Sequence, residues 1–215
     1  MLDYVLEHKD KIQNVPGGTL CQVFGENEGA SCSVAIVTMN ENGSGVKHYH
    51  KDITEIYLFS EGTGNIVINE HVNKVKEGDC FIISPNNVHY IVAKTDMKFL
   101  CICTPPWIEE REFVVTDHVV GDNIAKFDRT GIIQKFSNEA EHNVKFYEIS
   151  DKFLVNENIQ KYRRVYYCVS GNGVINIAGH DSVFNAGSCY EISDQTIEEI
   201  IPNGNMKFVL ICDNF

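Results

Sequence analysis

Four residues carry the chemistry this chain offers: His48 and His50 in the run His-Tyr-His, then Glu55, then His89. On a β-strand, residues i and i+2 project from the same face. At about 3.3 Å of rise per residue they lie roughly 7 Å apart along the strand, close enough for two imidazoles to converge on one ion. Glu55 can supply a carboxylate from the next strand, across Lys51-Asp52-Ile53-Thr54, and His89 can close the site from a third. Three imidazoles and one carboxylate suit a divalent first-row transition metal such as Fe, Mn, Ni, Cu or Zn. Four protein ligands leave two positions of an octahedral ion open, and open positions are where a metal does chemistry. His8, His71, His118, His142 and His180 have no such company and are read as surface or structural residues.

The stretch from His48 to Gly62 reads H-x-H-x4-E-x6-G, and from Gly78 a second pattern places Ser84, Asn86 and His89 at the spacing G-x5-S-x-N-x2-H. Together these resemble the two motifs of the cupins. Ser84 stands where the family usually has Pro, with Pro85 directly after it, and Asn86 stands where it usually has Gly. Asn42 occupies a further family glycine position, with Gly43 beside it. Asn tolerates the left-handed conformation a turn glycine would hold. The resemblance implies an all-β fold built from cupin-type barrels (double-stranded β-helix or jelly roll). It also implies one divalent transition metal per chain, Mn, Fe, Ni or Zn, held by His48, His50, Glu55 and His89. It does not imply a reaction, because cupins include isomerases, epimerases, dioxygenases, decarboxylases, lyases and binding proteins.

The pattern occurs twice in the chain. Shifted by 109 residues, Glu55-Ile-Tyr-Leu-Phe-Ser-Glu-Gly62 falls on Arg164-Val-Tyr-Tyr-Cys-Val-Ser-Gly171, and Gly78 falls on Gly187. The same shift places Met97-Lys98-Phe99 on Met206-Lys207-Phe208. Internal repetition of this length indicates two similar units in tandem, and with the resemblance it implies a bicupin. The second copy lacks the ligands: Glu157, Ile159, Arg164 and Glu198 stand at the positions of His48, His50, Glu55 and His89. Asp194, Gln195 and Thr196 replace the turn residues Pro85, Asn86 and Asn87. One metal per chain follows, in the first barrel. Arg164 is expected to pair inside the second barrel with Glu157 or Glu198, and that barrel is then a scaffold, a dimerisation surface or a separate ligand pocket. The boundaries read from the sequence are an N-terminal arm (1–30), the metal-binding barrel (31–104), a connector (105–135) and the degenerate barrel (136–215).

Composition agrees. A hydrophobic content of 43% suffices for packed cores. Segments 32–39, 55–59, 65–68, 80–83, 89–92 and 99–103 are short, rich in β-branched or aromatic residues and bounded by turn formers, as strands are. Short helices are expected only near residues 4–11 and 109–113. A net charge of −12 argues against nucleic acid or an anionic membrane as partner. The N-terminus lacks a signal peptide's basic start and apolar core, and no apolar run of spanning length occurs, so a cytoplasmic protein is expected. Eight cysteines in such a chain read as thiols rather than a disulfide framework. Cys80 and Cys103 repeat as Cys189 and Cys212, the behaviour of small buried apolar residues. Cys101 and Cys103 share one strand face and could reach the pocket.

Around the metal, Tyr57 and Phe59 share the strand face of Glu55. Tyr57 is the candidate catalytic residue, as hydrogen-bond donor, acid or base; packing alone is the competing reading, because Tyr166 holds the same place in the second copy. Trp107, the single tryptophan, is expected to pack across the barrel end or into a dimer partner. Three functions are compatible with these residues. The first is a metal-dependent enzyme acting on a small polar substrate, a sugar or a keto or hydroxy acid, with isomerase-like chemistry as in the phosphomannose-isomerase-like cupins. The second is an Fe- or Ni-dependent dioxygenase of an enolic substrate. The third is a non-catalytic small-molecule-binding bicupin. A homodimer through barrel edges is the expected assembly.

Overall fold

The structure, a computed structural model, describes residues 8–25, 30, 32–115, 143–155, 163–192 and 198–213. They belong to two compact units, one within Asp10–Arg129 and the other within Thr130–Phe215 together with Met1–Lys9. The first unit holds β1 (Ile12–Val15), β2 (Gly18–Phe24), β3 (Ser33–Met39), β4 (His48–His50), β5 (Thr54–Glu61), β6 (Thr63–Ile68), β7 (His71–Lys76), β8 (Cys80–Ile83), β9 (His89–Ala93), β10 (Met97–Thr104) and β11 (Glu112–Val114). The second holds β12 (Asn143–Ile149), β13 (Phe153–Leu154), β14 (Arg163–Ser170), β15 (Gly173–Ile177), β16 (His180–Val183), β17 (Cys189–Ile192), β18 (Glu198–Pro202) and β19 (Met206–Asp213).

Each unit is two facing antiparallel sheets. In the first they run β1-β2-β3-β10-β5-β8 and β11-β4-β9-β6-β7; in the second, β12-β19-β14-β17 and β13-β18-β15-β16. The 109-residue repeat is visible as geometry, since β5, β6, β8, β9 and β10 reappear as β14, β15, β17, β18 and β19 in the same neighbour order. Alternation explains the cores. Tyr57 and Phe59 on β5, Ile66 and Ile68 on β6, Ile91 on β9 and Phe99 on β10 form one buried cluster. Tyr166, Ile175, Ile200, Phe208 and Leu210 form its counterpart. Gly62 turns β5 into β6 at φ +79°, where an added Cβ would lie 2.0 Å from the Asp96 carbonyl oxygen. Gly171 does the same between β14 and β15, at φ +87° and 2.5 Å from the Asn205 carbonyl. Any side chain at either turn would push against the chain entering β10 or β19.

Two segments outside the first barrel's sequence boundaries carry strands among their described residues. Within 1–30, β1 and β2 extend the six-stranded sheet, with β2 paired along β3 from Gly18↔Met39 to Phe24↔Val34. Within 105–115, β11 pairs with β4, Glu112 opposite His50 and Val114 opposite His48. In both places the outer strand satisfies backbone groups that β3 and β4 would otherwise leave unpaired. The helices expected near 4–11 and 109–113 are, among the described residues, single 3-10 turns at Lys9–Lys11 and Glu109–Arg111. No described helix is long and apolar enough to cross a membrane. Glu157, Ile159, residues 193–197, His118 and His142 lie outside the described residues.

Candidate metal centre

The two sheets of the first unit divide the site between them. β4 and β9 carry the imidazoles, with His48 directly opposite His89 across the ladder, and β5 of the facing sheet carries Glu55. The turn before β9 is fixed by buried amides. Asn69 Nδ2 donates to Asn87 Oδ1 at 2.6 Å, the Val88 amide donates to Asn69 Oδ1 at 2.9 Å, and Asn87 Nδ2 donates to the Ser84 carbonyl at 2.9 Å. Asn86 sits at φ 66°, the left-handed conformation that lets it replace glycine, and its amide donates to the His50 carbonyl at 2.6 Å.

Glu55 Oε2 lies 2.6 Å from His89 Nε2, 3.5 Å from His50 Nε2 and 4.0 Å from His48 Nε2. The other ring nitrogen of each histidine meets a backbone carbonyl: His48 Nδ1 at Val46 (2.8 Å), His50 Nδ1 at Arg111 (2.9 Å) and His89 Nδ1 at Asn87 (2.9 Å). A carbonyl only accepts, so each Nδ1 carries a proton and the Nε2 of each ring is the nitrogen directed at Glu55. Outer-shell carbonyls fix metal-binding histidines in this way. His50 Nε2 and Glu55 Oε2 are buried without a hydrogen-bond partner. Buried acceptors facing one another are unfavourable unless a cation lies among them, so this donor set fits a divalent transition metal. His48, Glu55 and His89 form one group able to hold an ion, and His48, His50 and Glu112 an overlapping one.

Glu112 has no signal in the sequence motifs. It reaches the site only because β11 lies beside β4 and places it opposite His50. Its carboxylate accepts from Trp107 Nε1 at 2.8 Å, which gives the partly exposed tryptophan a hydrogen-bonding role beside the pocket. Tyr57, the sequence candidate, is there: its Oη lies 3.4 Å from Glu55 Oε1 and 3.3 Å from His89 Nε2. Burial, and then the Glu55 charge, holds the Tyr57 hydroxyl well above the ordinary tyrosine range, so it keeps its proton. Burial alone would raise Glu55, but the imidazoles of His89 and His50 outweigh it and hold the carboxyl well below its ordinary range. Burial and the nearby His89 lower His48. At His50, burial pulls down but the contact with Glu55 and its charge carry the net shift upward.

Residues 35–103 match the Cupin domain family. The matched residues lie within the first barrel, from β3 to β10. Solved structures share the two-barrel fold of the bicupins over most of the chain. A Cupin 2 conserved barrel domain protein from Leptotrichia buccalis superposes with a TM-score of 0.61 at 12% identity, over 91% of this chain and 88% of that one. An oxalate decarboxylase of Bacillus subtilis superposes at 0.57 and 14% identity, over 94% and 74%. Among curated proteins, an uncharacterized protein of Methanocaldococcus jannaschii is 33% identical over 82 residues, 37% of this chain and 64% of its own length. The L-ectoine synthase of Shouchella clausii is 33% identical over 60 residues, 27% and 44%. The chain thus spans less than two thirds of the length of both curated relatives.

In the second barrel the place of the metal site is taken by an ion pair. Arg164, at the Glu55 position, donates through Nη2 to Glu198 Oε1 at 2.6 Å and through Nε to Oε2 at 3.1 Å; Glu198 is at the His89 position. Tyr166 Oη donates to Glu198 Oε2 at 2.7 Å. Both charged side chains are fully buried.

A pH dependence follows for the first barrel. An ion that binds the folded state at about 100 times its Kd stabilises it by about 2.7 kcal/mol, or about 5–10 °C in Tm for a chain of this size. Protons compete with the ion at the imidazoles. His50 is shifted up, so its protonation opposes binding from near neutrality downward, whereas Glu55 is shifted down and stays ionised. The metal-induced rise in Tm is therefore expected in full near pH 8 and to shrink toward zero by about pH 5, below the ordinary imidazole pKa of about 6.5. Differential scanning fluorimetry with and without chelator reads it; an increment unchanged at pH 5 would exclude imidazole ligands.

Proposed function

We propose that the first barrel is a metal-dependent enzyme acting on a small keto or hydroxy compound that chelates a divalent ion held by His48, His50, Glu55 and His89. The reaction is a proton transfer at the carbon beside the chelated carbonyl, an isomerase-like chemistry. The observation that carries this reading is a cavity of about 360 Å³ that opens from the histidines. Its polar end holds Tyr57 and Glu112, and its opposite wall is Leu20, Val37, Met39 and Phe99. Among the described residues no Lys or Arg lines it, which disfavours phosphorylated and dianionic substrates and favours a neutral or singly charged molecule with an apolar body.

When bound, the ion would polarise the chelated oxygen and acidify the adjacent C–H. Tyr57, which keeps its proton, donates a hydrogen bond to the oxygen on which negative charge develops. Glu112 is the carboxylate that takes and returns the carbon-bound proton, steadied by Trp107 Nε1. Glu55 is committed to the imidazoles and is unsuited to that task.

Solvent exchange tests this without knowledge of the product. Keto and hydroxy acids and sugars incubated with the metal-loaded protein in D2O are expected to gain deuterium beside the carbonyl in one substrate class. Glu112→Gln is expected to slow that exchange by about 10²–10⁴-fold with metal content unchanged, and Tyr57→Phe by about 10²–10³-fold. Loss of metal in Glu112→Gln would make Glu112 a ligand and end its role as base. The apolar wall of Ile91 and Phe99 also favours a second reading, oxygenation of a chelated enol. Substrate consumption that stops without O2, with no exchange, would select it.

A further inference from the structure

The proposed function leaves two cavity residues unused. Cys101 and Cys103 occupy alternate positions of β10 and enter the cavity from one strand face, opposite Tyr57 and Glu55 in the ladder. Their sulfurs lie 3.8 Å apart. Glu55 Oε1 is 3.7 Å from Cys101 Sγ and 3.6 Å from Cys103 Sγ. The carboxylate is thus shared, with Oε2 toward the imidazoles and Oε1 toward the thiols.

A tetrahedral ion holds thiolate sulfur at about 2.3 Å and carboxylate oxygen at about 2.0–2.2 Å. Tetrahedral angles then put two sulfurs roughly 3.8 Å apart and each sulfur roughly 3.6 Å from the oxygen. The three observed separations are the edges of one face of that tetrahedron, formed by side chains already in place, and all three residues line the cavity. The repeat supplies an internal comparison. Cys103 has its equivalent in Cys212, a packing residue of the second core, but the equivalent of Cys101 is Leu210. Packing therefore accounts for one thiol of the pair. The second thiol is present only in the barrel that also has the carboxylate.

We propose that Cys101, Cys103 and Glu55 form a second metal site in the first barrel, selective for a thiophilic ion such as Zn²⁺ or Cd²⁺, and that Glu55 bridges it to the imidazole site. Coordination deprotonates a thiol outright, and the two protons pass to solvent.

Cadmium titration of the reduced, metal-stripped full-length protein tests the site by its thiolate-to-metal charge-transfer absorption. The band is expected to saturate with one ion bound through two thiolates, to persist in His48→Ala, and to disappear in Cys101→Ser/Cys103→Ser. Cys101→Leu places there the residue the second barrel holds as Leu210, and with an unchanged metal-free Tm it is expected to weaken cadmium binding at least about tenfold. A band unchanged in Cys101→Leu, or no band in the wild type, would overturn the proposal. Persistence in His48→Ala separates this site from the imidazole site: loss of catalysis there leaves the thiolate band intact, and loss of the band in the cysteine variants leaves transition-metal binding at the histidines intact.

Discussion

Protein carrying His89→Ala is expected to lose the ion of the imidazole site, which the wild type holds at close to one per chain, whatever zinc the thiol pair retains. Elemental mass spectrometry on tag-free protein reads the difference, with iron, manganese, nickel and zinc counted separately. The size of the effect follows from the position of the ring. His89 is 1% exposed, with Nδ1 fixed on the Asn87 carbonyl and Nε2 2.6 Å from Glu55. Its removal takes one ligand and the nearest contact of the carboxylate together, and a surface water cannot replace a ligand at that depth. His48→Ala is expected to lose metal as well, because His48 belongs to both overlapping groups of donors. Wild-type metal content in both variants would remove the imidazole site and the proposed chemistry with it. His89→Ala also leaves a void in the core, so the informative readout is the thermal increment on adding metal, expected to vanish while the metal-free Tm falls only modestly.

The four residues of the candidate site were legible in the sequence because a strand and its partner impose rigid spacings. An i, i+2 pair of histidines, a carboxylate five residues on and a histidine after a turn form a pattern that survives without knowledge of the fold. The degenerate second barrel was legible for the same reason, since a gap-free shift carries Arg164 onto Glu55 and Glu198 onto His89. Glu112 was not legible. It joins the site through the β11–β4 ladder, sixty-odd residues from His50, and a strand of three residues in a segment with Pro105 and Pro106 leaves no periodic trace. β1 and β2 escaped for a related reason: Gln13, Asn14 and Gln22 break the apolar alternation of strands that lie near a sheet edge. β7 is a polar edge strand, with Val72 exposed and Lys74 and Lys76 along it, the composition that discourages further pairing. The sharing of Glu55 between imidazoles and thiols needed three-dimensional register, Cys103 opposite Glu55 and His48 opposite His89.

Arg164→Met is expected to destabilise the second barrel by about 3–5 kcal/mol, because it leaves Glu198 buried without the cation that faces it. Arg164→Met with Glu198→Leu is expected to recover most of that loss, since a buried ion pair replaced by apolar groups of similar volume is often neutral or better. Chemical denaturation of the two variants and of Glu198→Leu alone gives the coupling directly. A cost under about 1 kcal/mol for Arg164→Met would mean that water reaches the pair. The two barrels meet one physical demand in different ways. In each, a carboxylate is buried between facing sheets, Glu55 in one and Glu198 in the other. The first barrel leaves its carboxylate among three imidazoles, where an exchangeable cation would balance it; the second encodes the cation as Arg164 and adds the Tyr166 hydroxyl. A chelator should therefore lower the unfolding transition of the first barrel and leave that of the second in place, whereas Arg164→Met should do the reverse. Each barrel then reports on its own charge balance, and metal content in Arg164→Met should remain that of the wild type.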